Sequence, residues 1–308
     1  MPELPDIQIY LEALGRTLGH QTIQQVELRS PFLVRSFDPP LQAVVDKKVT
    51  GFRRQGKRII WELEDELFLV FHLMIAGRFH WKPVATKPRK KTDLLAFHFA
   101  HGTLLVTEAG SKKRASLHLV RGAAALSAHD PGGFEVMGSA PAAFKEVLRR
   151  ENHTLKRALT DPHLFSGIGN AYSDEILHAA GLSPLKWTSR LADEEIERLH
   201  AATLATLEEW TSRLRADAGE RFPEKVTAFR PEMAVHGRFG EPCPSCQTAV
   251  QRIEYAENET NYCPRCQTGD KVLADRQLSR LLKGDWPQTV EELETRAGFS
   301  SARRTGKK

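Results

Sequence analysis

Residues 49–77 read VTGFRRQGKRIIWELEDELFLVFHLMIAG, and this stretch decides the fold of the first half of the chain. Its apolar residues are mostly β-branched or aromatic, in short runs broken by Gly56 and by the polar turn Glu64-Asp65-Glu66. Such runs between turn residues form β-strands, because branched and ring side chains pack well on a pleated surface. Working outward, DLLAFHFA (93–100) and TLLVTEAG (103–110) continue the pattern across His101-Gly102. Antiparallel strands at this spacing predict a β-sandwich over residues 22–120. Ahead of it, residues 5–18 predict an amphipathic helix. Ile7, Leu11, Leu14 and Leu18 share one face, Pro5 sits in the first turn, and Asp6 suits the positive helix end. The basic, proline-containing stretch 82–90 (KPVATKPRK) reads as a mobile loop.

The breaker cluster His129-Asp130-Pro131-Gly132-Gly133 marks an interdomain hinge. After it the pattern turns helical. Residues 193–215 place Ile196, Leu199, Thr203, Leu207, Trp210 and Leu214 on one stripe, with Asp193, Glu194 and Glu195 in the first turn. The class is therefore α+β, divided at 1–130 (β-sandwich flanked by helices), 134–230 (helical), 232–270 (cysteine module) and 271–308 (extension). In the extension VLADRQLSRLL and TVEELETRA read as helical and the terminal ARRTGKK as disordered.

At 308 residues and 41% hydrophobic content the chain can bury a sizeable core, which excludes wholesale disorder. A net charge of +5 permits a polyanionic partner without demonstrating one. MPELPD is not a basic segment followed by an apolar one, and LFLVFHLMIAG is too short to cross a bilayer. The expectation is a cytoplasmic protein without a membrane partner.

All four cysteines fall in Cys243-Pro-Ser-Cys246 and Cys263-Pro-Arg-Cys266, with sixteen residues between the pairs. Each CxxC knuckle aims two thiolates at one point, and two knuckles complete a tetrahedron around a structural zinc ion. The alternative is a reduced tetrathiol or redox pair. Four cysteine ligands leave no open position, so the metal holds the segment together and takes no part in a reaction. Between the knuckles, Ile253 and Tyr255 alternate with polar residues, predicting a hairpin that turns at Glu257-Asn258-Glu259.

Two weaker signals complete the reading. Met1 precedes the small residue Pro2, so removal of Met1 is expected, freeing a secondary amine. An α-amino group titrates near ~8, so part of it is neutral and nucleophilic at physiological pH. Glu3 beside it can shuttle protons. Taken alone, MPE is equally an ordinary terminus. In LKRALTDPHLFSGIGNAYSDEIL (155–177), Gly167 and Gly169 punctuate a turn that opens a helix. Such a turn presents backbone N–H groups to a phosphate, with Asn170 adding a donor. The same residues also suit a plain helix–turn–helix corner.

Four separated segments resemble one family in the right order over roughly residues 1–270. MPELPDI is similar to the N-terminal MPELPE of the formamidopyrimidine-DNA glycosylase and endonuclease VIII family. RRQGKRIIWEL…LVFHLMIAGRF resembles its RRxGKYLxxxL…HLGMSGRF. LKRALTDPHLFSGIGNAYSDEILHAAGLSP resembles its helix–two-turn–helix, and VHGRFGEPCPSCQ…TNYCPRCQ its zinc finger. The resemblance implies a monomeric base-excision repair enzyme, a glycosylase with apurinic/apyrimidinic lyase activity on damaged double-stranded DNA, carrying one zinc. It implies that Pro2 is the nucleophile at C1′ of a flipped-out nucleotide. Glu3 would be the acid/base carboxylate in sugar-ring opening, and Lys57 a phosphate contact beside the lesion. Lys156 and Asn170 would be the helix–two-turn–helix phosphate contacts.

This chain also departs from the family pattern. The zinc hairpin of the family usually reads RSTxFC; aligned on Cys263, Asn258 occupies the arginine's place, with Arg252 or Arg265 as substitutes. Losing that fork removes a charge-assisted contact worth roughly 1.5–3 kcal/mol. The void-filling residues also change. Met74 or Ile75 stands for the family's methionine, and the loop Glu108–Arg114 is basic without a phenylalanine, so Arg114 either reaches the DNA or lies in a solvated turn. Asp6 replaces the family's second glutamate. Two alternatives to the bifunctional enzyme follow: an abasic-site lyase or lesion binder with little base excision, motivated by Asn258, and a zinc-containing DNA-binding module without catalysis.

Overall fold

The computed structural model describes residues 1–224, 226–227, 230–255, 258–274, 281 and 286–295, with backbone only at positions 255 and 258. It divides into two compact units. One comprises Met1–Glu135, Ser166–Ile168 and Leu207–Ala228; the other comprises Val136–Phe165, Gly169–Thr206 and Phe229–Lys308.

The first unit is the expected β-sandwich. One antiparallel sheet orders β1 (Gln25–Leu28), β6 (Asp93–Phe99), β7 (Gly102–Glu108) and β5 (Gly77–Lys82). The other orders β2 (Val49–Gln55), β3 (Arg58–Leu63), β4 (Leu67–His72) and β8 (Ser116–Arg121). The aromatic residues that marked these strands in the sequence meet in the interior. Trp61 lies 5.2 Å from Phe71 and 5.1 Å from Phe97, and Phe79 meets Phe71 edge-on at 5.1 Å. Removing one such ring costs about 3–5 kcal/mol. Helix α1 (Leu4–Leu18) buries Ile7, Leu14 and Leu18 as expected, whereas Leu11 is only partly buried. Tyr10 takes the remaining core position, its hydroxyl accepting the Phe79 N–H at 3.4 Å. From the second half of the longest helix, α6 (Asp193–Ala218), this unit buries Leu207, Trp210 and Leu214. Arg215 of that helix grips Glu12 with two bonds, 2.7 and 3.0 Å. The short helix α2 (Ala123–Ser127) sets Leu126 against Ile60 and Val70 on the outer face of the second sheet.

The second unit is helical. It contains α3 (Pro141–Leu148), α4 (Leu155–Thr160), α5 (Asn170–Ala179) and the first half of α6, where Ile196, Leu199 and Thr203 are buried as the stripe requires. Helices α4 and α5 with the turns between them stand where the helix–two-turn–helix is expected. The cysteine module follows as the hairpin β9 (Gln251–Tyr255) and β10 (Asn258–Tyr262), then α7 (Pro264–Thr268). Its turn differs from expectation. Asn258 pairs with Tyr255 and Glu259 with Glu254, so residues 258 and 259 belong to β10 rather than to the turn. This register sets Thr260 opposite Ile253 and keeps Tyr262 fully buried; a one-residue slip would reverse every side chain of the strand. Residues 290–295 are helical. Most of VLADRQLSRLL and all of ARRTGKK lie outside the described residues.

Candidate functional site

In the first unit the start of the chain is held inward. Pro2, Glu3 and Leu4 are buried, Glu3 at 2% exposure. Glu3 and Asp6 form a reciprocal capping box at the head of α1, in which Asp6 accepts the Glu3 N–H at 3.0 Å. Leu4 N–H then donates to the Gly167 carbonyl at 2.9 Å. Gly167 fits there only because it is glycine. Its φ is +80°, and a Cβ would stand 2.8 Å from Arg54 Nη1 and 3.0 Å from Leu4 Cβ. Arg54 Nη1 in turn donates to the Gly56 carbonyl and to Ser166 Oγ, each at 2.9 Å, while its other terminal nitrogen pairs with Glu135. Gly56 and Lys57 form the turn between β2 and β3. Arg54 thus ties the turn bearing Lys57 to the glycine that receives the N-terminal backbone.

The electrostatics follow from this packing. Burial pushes the Met1 amine below its ordinary value; Glu3 and Asp6 oppose the shift, and Arg78 and Lys57 reinforce it. His72, at the end of β4, is pushed down to about 4, first by burial and then by Arg58, Lys57 and the terminal amine. Its ring is neutral at pH 7. The structure therefore brings the terminal amine, Glu3, Lys57 and His72 into one electrostatic neighbourhood. His72 and Arg78 were not expected there; both stand within the HLMIAGRF block, whose reading concerned only the wedge residue.

The other expected residues of this unit sit on two turns. Met74 is half-buried with φ +51°, and Ile75 beside it is 59% exposed, its carbonyl accepting from Arg78 Nη1 at 3.0 Å. The basic loop after β7 is organised by Glu108, which is 1% exposed and accepts the N–H groups of Arg114 at 2.9 Å and Ala115 at 3.2 Å. Arg114 itself is exposed.

In the second unit Lys156 Nζ donates to the Asn170 carbonyl at 2.6 Å and, at 2.5 Å, to Oδ1 of Asp174, a residue with no distinguishing mark in the sequence. The other oxygen of Asp174 accepts from His236 Nδ1 at 2.8 Å and from the Asn261 backbone N–H at 3.1 Å. The next residue, Glu175, accepts the N–H groups of Ala234, Val235 and His236 at 2.7, 2.9 and 2.9 Å. Two carboxylates on α5 thus fasten the cysteine module to the helix–two-turn–helix. The two arginines considered as substitutes at the hairpin are both in ion pairs: Arg252 with Glu254 and Glu259, and Arg265 with Asp270.

The four cysteine sulfurs lie within 4.8 Å of one another, with Cys243–Cys266 at 3.9 Å and Cys246–Cys263 at 3.3 Å. A tetrahedron with Zn–S bonds of ~2.3 Å has edges of ~3.8 Å, so the cluster fits one zinc ion. Burial pushes the Cys263 thiol up to about 11, a cost that a dication reverses by binding the thiolate. His178 Nε2 lies 3.3 Å from Cys243 Sγ, within reach of an N–H···S contact that orients the ligand.

A β-sandwich carrying its own buried N-terminus, followed by a helix–two-turn–helix and a four-cysteine zinc finger, defines a class of DNA repair glycosylase. Residues 1–112 match the formamidopyrimidine-DNA glycosylase N-terminal domain, 135–215 its H2TH domain, and 240–269 the zinc finger found in FPG and IleRS. The formamidopyrimidine-DNA glycosylase of an Exiguobacterium species is 30% identical over 279 residues, covering 87% of this chain and 99% of that protein. An uncharacterized formamidopyrimidine-DNA glycosylase-like protein of Mycobacterium tuberculosis is 41% identical over 129 residues, 42% of this chain and 80% of its own length. The Lactococcus lactis Fpg in complex with DNA containing an abasic site superposes with a TM-score of 0.75 at 27% identity, covering 86% of this chain and 99% of that one. The chain belongs to the formamidopyrimidine-DNA glycosylase family, whose known activity is that of a DNA glycosylase and abasic-site lyase. Among the described residues no helix is long and apolar enough to cross a membrane.

Proposed function

We propose that this chain excises damaged bases from double-stranded DNA and cleaves the resulting abasic site, with Pro2 as nucleophile once Met1 is removed. The observation that carries the reading is the buried chain start. Gly167 receives it at the Leu4 N–H, the capping box orients Glu3, and the burial that pushes the Met1 amine down extends to Pro2. In the reaction the Pro2 nitrogen forms a bond to C1′ of a flipped-out nucleotide, and the damaged base leaves with the electron pair of the glycosidic bond. Glu3 protonates the ring oxygen as the sugar opens, leaving an iminium. The iminium acidifies the C2′ proton, and its loss expels the 3′ phosphate by β-elimination. Lys57, on the turn tied to Gly167 through Arg54, holds the neighbouring phosphate, and Lys156 and Asn170 hold the backbone from the helix–two-turn–helix. Met74, with the more exposed Ile75, enters the vacated stack, and Arg114 contacts the opposite strand. The Lactococcus lactis enzyme in complex with abasic-site DNA supports the choice of substrate. Borohydride reduction with abasic DNA traps a covalent adduct in this account, and Pro2→Gly abolishes it; a wild-type chain that traps nothing refutes it.

A second reading is favoured by Asn258. That position opens β10 without a cationic side chain, and Arg252 and Arg265 are both in ion pairs with carboxylates. A chain lacking this phosphate grip acts on abasic sites while releasing little damaged base. Adduct formation without release of oxidised purines or pyrimidines from defined oligonucleotides identifies it.

A further inference from the structure

The outer face of the β2-β3-β4-β8 sheet carries a cationic group that the chemistry above leaves unused. Along β3, Ile59 and Trp61 enter the sandwich core while Ile60 belongs to the outer cluster, so Arg58 emerges on the outer face. The pairing of Ile59 with Phe71 sets Arg58 beside His72 on β4, and the pairing of Val70 with His118 places that histidine on the same face. The His129 ring, just beyond α2, lies 4.5 Å from the His118 ring. Its loop also abuts the β2–β3 turn, since a Cβ on Gly56 would touch Pro131 at 3.4 Å. Arg35 flanks this face, its backbone N–H bonded to the Leu117 carbonyl at 2.8 Å.

Arg58 is half-buried, yet among the described residues its side chain makes no hydrogen bond and no ion pair. The carboxylate acting on it, Asp130, stands beyond ion-pair distance and accepts the Gly132 N–H at 2.9 Å. A partly desolvated guanidinium with five unused donors is costly to leave unpaired. The two imidazoles add N–H donors without adding charge, because burial lowers both and their proximity lowers His118 further. The arrangement suits a singly charged acceptor that offers two oxygens to one guanidinium edge, as a phosphodiester's non-bridging oxygens do, with the Lys57 turn next to it.

We propose that Arg58, with His118 and His129, binds a further phosphodiester group of the DNA, beyond those held by Lys57, Lys156 and Asn170. The inference rests on the proposed action on DNA and extends the contacted backbone onto the outer face of the sheet. It is tested with the full zinc-loaded chain and a duplex carrying a central tetrahydrofuran abasic analogue, titrated at several salt concentrations. Each phosphate contact contributes about 0.9 to the slope of log K against log[salt]. Arg58→Gln is expected to reduce the slope by about one and to weaken binding roughly tenfold. Asp130→Asn, which removes the competing carboxylate, is expected to tighten binding by about threefold, an effect that misfolding cannot produce. An unchanged slope in Arg58→Gln together with unchanged affinity in Asp130→Asn overturns the site. So does a site on which inorganic phosphate shifts the His118 and His129 ring resonances while DNA leaves them unmoved. Failure of wild-type adduct trapping sinks the enzymatic reading instead, and the two failures are separable.

Discussion

Lys156 and Asp174 form a buried ion pair, Nζ to Oδ1 at 2.5 Å, with Asp174 fully buried and Lys156 at 12% side-chain exposure. The pair joins α4 to α5, and the second oxygen of Asp174 carries His236 and the backbone of Asn261. A buried pair of this kind contributes little beyond a good apolar contact, but breaking it strands charge in the interior at about 3–5 kcal/mol. Asp174→Ala is therefore expected to destabilise the helix–two-turn–helix and zinc unit by that amount. Urea unfolding followed by zinc release is the measurement, since zinc reports on this unit alone. Lys156→Ala should destabilise too, and should also weaken DNA binding under the proposed phosphate contact. A lysine that only touched DNA would weaken binding and leave the urea midpoint in place.

Gly167→Ala adds a Cβ in a left-handed conformation against Arg54 and Leu4. Backbone strain of this sort costs about 1–3 kcal/mol, and relieving it moves either the guanidinium or the start of α1. Both position the terminal amine, so the rate of borohydride-trapped adduct formation is expected to fall tenfold or more. Zinc content should be unchanged, because the cysteines belong to the other unit. Full retention of the trapping rate would show that the chain start tolerates displacement.

Much of this architecture was legible in the sequence, and the reasons are local. Strand residues such as Ile59, Trp61 and Phe71 announce themselves by type and alternation, and the four cysteines by spacing. The stripe from Ile196 to Leu214 survives intact even though α6 contributes to both compact units. What was hidden depends on distant partners. Asp174 and Glu175 look like ordinary solvated charges on a helix, and only contacts with residues 59 to 87 positions away reveal them as buried fasteners. Asn258 was assigned to the turn from local composition, whereas cross-strand pairing of Thr260 with Ile253 sets the register. Arg58 carries no signal in sequence, because nothing there tells whether a guanidinium has a partner.

The pH dependence of adduct formation follows from the surroundings of the chain start. An α-amino group ordinarily titrates near ~8 and attacks only when neutral. Burial depresses the Met1 amine, and Pro2 next to it is buried as well, so a Pro2 amine freed by loss of Met1 is expected to reach half-maximal trapping below that pH. The signs for variants are fixed by charge. Glu3 favours the protonated form, so Glu3→Gln shifts the trapping midpoint to lower pH while slowing ring opening. Lys57 and Arg78 disfavour it, so Arg78→Gln shifts the midpoint upward. Midpoints of stopped trapping reactions across roughly pH 5–9 check these directions, and coincident profiles for the three proteins would refute the assignment.

Zinc removal separates fold from chemistry. The four sulfurs converge on one point, and His178 touches the Cys243 ligand from α5. Chelation, or Cys263→Ser, is expected to release one zinc per chain and loosen the hairpin, lowering DNA affinity at least tenfold. The β-sandwich has its own aromatic core and should keep its near-ultraviolet signal from Trp61. Loss of that signal on chelation would mean that the metal supports the whole chain rather than its own module.

Asn258→Arg addresses whether this hairpin has lost a phosphate grip. The substitution restores a charged fork to a position whose backbone is fixed by pairing with Tyr255. A charge-assisted hydrogen bond to phosphate from that position is worth roughly 1.5–3 kcal/mol, equivalent to about a 10- to 150-fold increase in affinity for abasic-analogue DNA. If the missing arginine is what limits base excision, single-turnover release of an oxidised base should rise with affinity. Tighter binding without faster release would place the limitation in the turns around Met74 and Arg114, proposed to fill the vacated stack. No increase in either would show that the native hairpin reaches the backbone by other residues, and the lesion-binder reading would lose its motivation.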